Sequence, residues 1–150
     1  MPFTIENLTE RQIAKTIDHS LLRPELDDEF IEAGCRLAAE YDVASVCVRP
    51  VDVARAKSLL GGTDVKVGTV IGFPHGSTKT ATKVYEATQA LDDGATELDM
   101  VIDIGALKSG RDADVQADIA AVVDVGHARG AIVKVILENA YLTDHEKVRG

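Results

Sequence analysis

The chain has no tryptophan, and aromatic residues make up only 4% of its 150 positions. Its core must therefore come from Val, Ile, Leu and Ala, which a hydrophobic content of 45% supplies in quantity. Cysteine occurs only at Cys35 and Cys47, which excludes a disulfide framework, and no Cys/His spacing fits a zinc site. Basic residues number 16 against 25 acidic ones, for a formal net charge of -9. A nucleic-acid partner needs clustered Lys and Arg, so none is expected. No apolar run approaches the roughly 18 residues of a membrane span, so no membrane partner is expected either. The stretch from Met1 to Asn7 lacks a basic segment followed by an apolar one, so no secretory leader is expected. Together these absences predict a reducing, cytoplasmic setting.

What the chain does have is regular alternation of strand-like and helix-like segments. Residues 13–18 read as a first strand, with Asp18 at its C-terminal end. Pro24 marks a loop, and Asp27 or Asp28 suits the N-cap of a helix to about residue 41. Strands follow at 43–48, 64–72, 95–102 and 131–137. The helices between them start at Pro50, at Ser77 or Thr78, and at Asp112, and Gly61, Gly94 and Gly130 end them. Thr143 opens one more helix. Tyr85 and Tyr141 read as helix and loop packing. Five βα units with short turns predict an α/β fold with a parallel sheet in a single domain over 1–150. A complete (β/α)8 barrel usually needs about 200 residues or more, so a partial barrel is expected. The rival is a doubly wound open sheet that binds phosphate.

Strand parity favours the barrel. In Glu97-Leu98-Asp99-Met100-Val101-Ile102-Asp103, one face carries Glu97 and Asp99 and the other Leu98, Met100 and Ile102. The strand at 131–137 places Lys134 on one face, opposite Val133 and Val135. An open α/β sheet has helices on both faces and needs both apolar. A barrel needs only its outer face apolar. Asp99 and Lys134 are then expected to point inward from adjacent strands and to favour each other's charged forms. The Gly72 to Thr80 segment lacks Walker spacing and reads as a turn, and no G-x-G-x-x-G occurs.

Several segments are more specific. Ile17-Asp18-His19-Ser20-Leu21-Leu22-Arg23-Pro24 resembles the opening strand and loop of the deoxyribose-phosphate aldolases, and Ser45-Val46-Cys47-Val48-Arg49-Pro50 their second strand. The third, fourth and fifth are similar to Val67 through Gly76, Glu97 through Gly110, and Lys134 through Glu138. The matches lie in order across about residues 13–142. The resemblance implies a TIM barrel and a class I aldolase without metal or other cofactor. Such an enzyme reversibly cleaves 2-deoxy-D-ribose 5-phosphate to acetaldehyde and D-glyceraldehyde 3-phosphate through a lysine Schiff base. It further implies Asp99 as the catalytic proton donor and acceptor, with Asp18, Cys47 and Lys134 lining the substrate pocket.

Departures from the family pattern bear on activity. The family's Schiff-base lysine lies in a Lys-Thr-Ser-Thr-Gly setting on the sixth strand, and that motif does not occur here. Asp103, Ser20 and Asn139 stand where the family usually has Asn, Thr and Thr. The expectation is the N-terminal part of such a barrel, inactive or nearly so by itself. Phosphorylated sugars and aldehydes are its expected small-molecule partners. A partial barrel also exposes strand edges, which predicts a homo-oligomer. The alternative to an aldolase portion is a half-barrel whose role is assembly.

Overall fold

A computed structural model describes residues 8–150. The expectation of no leader falls on residues 1–7, outside the described residues. The chain opens with α1 (Glu10–Ala14), β1 (Asp18–Leu21), α2 (Asp28–Tyr41) and β2 (Ser45–Val48). A 3₁₀ turn at Pro50–Asp52 leads into α3 (Val53–Leu59), β3 (Lys66–Ile71) and α4 (Thr80–Asp92). Then come β4 (Glu97–Val101), α5 (Ile104–Lys108), α6 (Asp112–Ala128), β5 (Ile132–Ile136) and α7 (Asp144–Arg149).

The first strand starts later than the sequence pattern suggests. Thr9 and Gln12 form a capping box that launches α1 across part of the segment read as strand. Ile13 and Ile17 remain exposed, so their apolar character carries no core signal. Asp18 consequently opens β1 rather than closing it. Helix α4 begins at Thr80, after Ser77 and Thr78, and its N-cap Lys79 makes no side-chain capping bond. Tyr85 and Tyr141 are exposed and do not pack. Asp27 does cap α2, and Thr143 caps α7 with Glu146 completing the box.

All five strands are parallel, in the order β1-β2-β3-β4-β5, with each pairing its sequence neighbour. A doubly wound sheet reverses its strand order at a switch point. No reversal occurs here, which sets the open-sheet rival aside. The outward residues Val46, Val48, Val67, Ile71, Leu98 and Met100 are buried together with Ile31, Cys35, Val53, Ala87 and Val122 of the helices. This continuous apolar layer fixes which sheet face is left for polar groups.

Curvature follows from one distance. Flat strands stand about 4.8 Å apart, so β1 and β5 would lie about 19 Å from one another. Lys134 Nζ on β5 nevertheless donates to Asp18 Oδ2 on β1 at 2.6 Å. A lysine side chain alone does not span that separation. The sheet curls, as a barrel wall does, and its polar face is the concave one. Among the described residues, no helix is long and apolar enough to cross a membrane.

Candidate active site

Alternation along four strands delivers the site. Asp18 and Ser45 are register partners on β1 and β2, and Asp99 and Lys134 are partners on β4 and β5. Cys47 lies two residues beyond Ser45 and so shares its face. The structure thus brings Asp99, Asp18, Cys47 and Lys134 into one concave cluster.

The ammonium of Lys134 is its centre. Its Nζ lies 2.6 Å from Asp18 Oδ2, 3.0 Å from Glu97 Oε2 and 3.2 Å from Asp99 Oδ1. The Asp99 contact is an ion pair without hydrogen-bond geometry, which leaves that buried oxygen without a hydrogen-bond donor. The other Asp99 oxygen accepts from Cys47 Sγ at 3.7 Å. Ser45 Oγ donates to Asp18 Oδ1 at 2.6 Å. Sequence reading placed Glu97 on the Asp99 face without a role and gave Ser45 no role at the site. Inward parity on β2 and β4 was the available signal for both.

These contacts set the protonation states. Burial alone would lower Lys134, but the hydrogen bond to Asp18 and the close carboxylates of Glu97 and Asp99 outweigh it and raise its pKa. The dominant partners are therefore Asp18 and Glu97 rather than Asp99. Burial raises Asp99, and the opposing pull of Lys134 does not cancel it. For Asp18, burial is outweighed by hydrogen bonds from Lys134 and Ser45, so its carboxyl is held below the usual range. One ammonium thus faces three carboxylates, and Asp18 and Asp99 are pushed in opposite directions, Asp99 toward keeping its proton. A lysine held protonated is no nucleophile, whereas a carboxyl that holds its proton more tightly than usual can carry one.

Burial pushes the Cys47 thiol up to about 12, with the Asp99 charge and hydrogen bond adding to it. Iodoacetamide is therefore expected to leave Cys47 unlabelled in the native protein at pH 8 and to label it in denaturant. Stability is also expected to fall above about pH 9. There the unfolded thiol releases its proton while the folded one keeps it, so the unfolded state binds fewer protons. Native-state labelling as fast as in denaturant would contradict the burial.

A second buried pair escaped sequence reading altogether. Lys83 and Asp118 form an ion pair at 2.5 Å between α4 and α6. The signal was periodicity. Lys83 lies on the stripe of Ala87, Ala90 and Leu91, and Asp118 on that of Val115 and Val122.

A curled, sequentially wound parallel sheet with a charged concave face defines a portion of a (β/α)-barrel enzyme. The chain belongs to the DeoC/LacD family of aldolases, which it matches over residues 12–148. It is 53% identical over 140 residues to the deoxyribose-phosphate aldolase of Geobacillus sp., covering 93% of this chain and 62% of that relative. It is 52% identical over 144 residues to that of Thermococcus kodakarensis, covering 95% of this chain and 64% of the relative. Its fold is similar to a tetrameric deoxyribose phosphate aldolase from Aeropyrum pernix. The TM-score is 0.86 at 31% identity, over 94% of this chain and 58% of that one. The chain therefore spans less than two thirds of the length of these relatives.

Proposed function

We propose that this chain supplies the acid/base side of a deoxyribose-phosphate aldolase active site, as the N-terminal part of its barrel, in a single domain over 1–150. The reaction is the reversible cleavage of 2-deoxy-D-ribose 5-phosphate to acetaldehyde and D-glyceraldehyde 3-phosphate through a lysine Schiff base, without a metal. Asp99 carries the proton. Lys134 holds Asp99 and Asp18 in place, and Asp18 and Cys47 line the pocket around them. The observation that supports this most directly is the raised, half-buried Asp99 carboxyl beside a protonated lysine on the concave face. A carboxyl that holds its proton more tightly than an ordinary carboxylate is suited to giving and taking one.

Lys134 is held protonated, so it does not form the imine. The chain by itself is then inactive or nearly so. Low concentrations of acetaldehyde followed by borohydride are expected to label no lysine of the 150-residue chain in preference to its exposed surface lysines. The chain joined to the remainder of the Geobacillus relative is expected to turn over deoxyribose 5-phosphate. A folded joined chain without turnover would overturn the aldolase reading. Robust turnover by the 150-residue chain would overturn its inactivity.

The edge strands support a further reading of assembly. Strands β1 and β5 each have one neighbour, and Ile132 at the start of β5 is exposed. Such edges favour pairing with another chain or with further strands of the same barrel. The protein is proposed to form a homo-oligomer in the cytoplasm, and a monodisperse monomer in sedimentation would contradict that.

A further inference from the structure

We propose that Lys83 is a positioning residue for Asp99: its ammonium takes the place of the strand partner that β4 loses where β3 ends. The proposal rests on reading Asp99 as the proton carrier.

The backbone shows the gap. The β3–β4 pairing ends at Ile71↔Met100. Beyond it, Gly72 turns out of the sheet with φ +65°, while β4 continues to Val101. The next amide, Ile102 N–H, donates to the Ile136 carbonyl on β5. Across a trans peptide the carbonyl points opposite to the N–H. The Val101 carbonyl therefore faces the side that β3 has left.

Lys83 fills that side. Its Nζ donates to the Val101 carbonyl at 2.8 Å and to Asp118 Oδ2 at 2.5 Å. Thr80 Oγ1 donates to the other Asp118 oxygen at 2.8 Å. The lysine stem passes over Gly72, where a Cβ would stand 2.9 Å from Lys83 Cε. The missing side chain at Gly72 is thus what admits the lysine. Lys83 itself has no exposed surface.

An apolar residue here would join α4 to α6 without the cost of burying a charge. It could not donate a hydrogen bond to a carbonyl. That donation is what the lysine adds, and it acts on β4 only two residues past Asp99, on the strand that also carries Glu97. Loss of the anchor would loosen the strand end and let more water reach Asp99, whose side chain is 15% exposed. Burial is the larger influence on that carboxyl, ahead of Lys134, so hydration would bring its titration midpoint down toward the ordinary carboxylate value. The groups facing Asp99 throughout are Lys134, Cys47 and Asp18.

The test is carboxyl-carbon NMR titration of Asp99 in the 150-residue chain. The paired variant Lys83→Met with Asp118→Leu removes both charges, and so adds no uncompensated one. It is expected to fold and to lower the Asp99 midpoint by about half a pH unit, a roughly threefold change in proton affinity. Thr80→Val removes one of the bonds on Asp118 and is expected to shift the midpoint the same way by less. A purely structural pair would change the melting temperature and leave the midpoint where it is. An unchanged midpoint in whichever of the two variants fold would overturn the proposal. The titration needs no substrate, so its outcome is separate from that of the turnover experiment.

Discussion

Asp99→Asn is expected to lower retro-aldol turnover by about 10²–10⁴-fold in the chain joined to the remainder of the Geobacillus relative. Breaking a carbon–carbon bond beside an imine leaves a carbanion equivalent that must be protonated, and the hydroxyl on the departing half must lose its proton as it becomes the aldehyde carbonyl. Asparagine keeps the size of the side chain and can still accept from Cys47, but it cannot exchange a proton near neutral pH. The loss should fall on kcat, with KM changed little, because the carboxyl acts on the reacting bond rather than on the phosphate end of the substrate. Cys47→Ala is the contrasting variant. Its thiol is pushed up to about 12 and stays protonated, so removing it should cost far less than removing Asp99. Rates measured with deoxyribose 5-phosphate decide the matter. An Asp99→Asn enzyme within a factor of a few of the parent would end the acid/base role proposed for this residue.

The residues behind this prediction were legible because strand parity is strict. Glu97 and Asp99 fall on one face and Leu98 and Met100 on the other, whatever surrounds them. The same rule put Lys134 opposite Val133 and Val135. Sequence parity, however, does not measure curvature, so the Asp18–Lys134 bond across the whole sheet was beyond it. Pairing was read as Asp99 with Lys134, the register neighbours, whereas the ammonium reaches closer to Asp18 and Glu97. Local signals misled at the N-terminus. Ile13 and Ile17 suggested a strand, while the Thr9–Gln12 capping box, a signal present in the sequence, set a helix there. Helix α5 went unread because Ile104–Lys108 is a little over one turn, too short for periodicity to show. Its cap is Asp103, which accepts from the Ala106 amide. The substitution of Asp103 for the family's usual Asn thus keeps a capping side chain.

Lys83→Met alone is expected to be among the most damaging single substitutions in the protein, destabilising it by about 3–5 kcal/mol. Lys83 has no exposed side-chain surface and Asp118 only 7%. Methionine matches the lysine stem in length, so packing over Gly72 survives and no large cavity forms. What remains is a buried Asp118 carboxylate held only by the Thr80 hydroxyl, and a Val101 carbonyl without a donor. A domain of this size is stable by roughly 5–15 kcal/mol, so the single variant should unfold at a much lower urea concentration or fail to accumulate. Adding Asp118→Leu removes the stranded charge and is expected to recover most of that loss, because replacing a whole buried pair by apolar residues is often nearly neutral. The order of urea midpoints should therefore be parent and double variant together, with Lys83→Met well below. A single variant within 1 kcal/mol of the parent, outside the range of about 3–5 kcal/mol expected for a broken buried pair, would mean that water or another group already satisfies Asp118. If instead the double variant falls as far as the single one, the hydrogen bond to Val101 matters more for folding than the charge pair. That result would still place the ammonium of Lys83 at the end of β4, where the strand bearing Asp99 needs a donor that β3 does not provide.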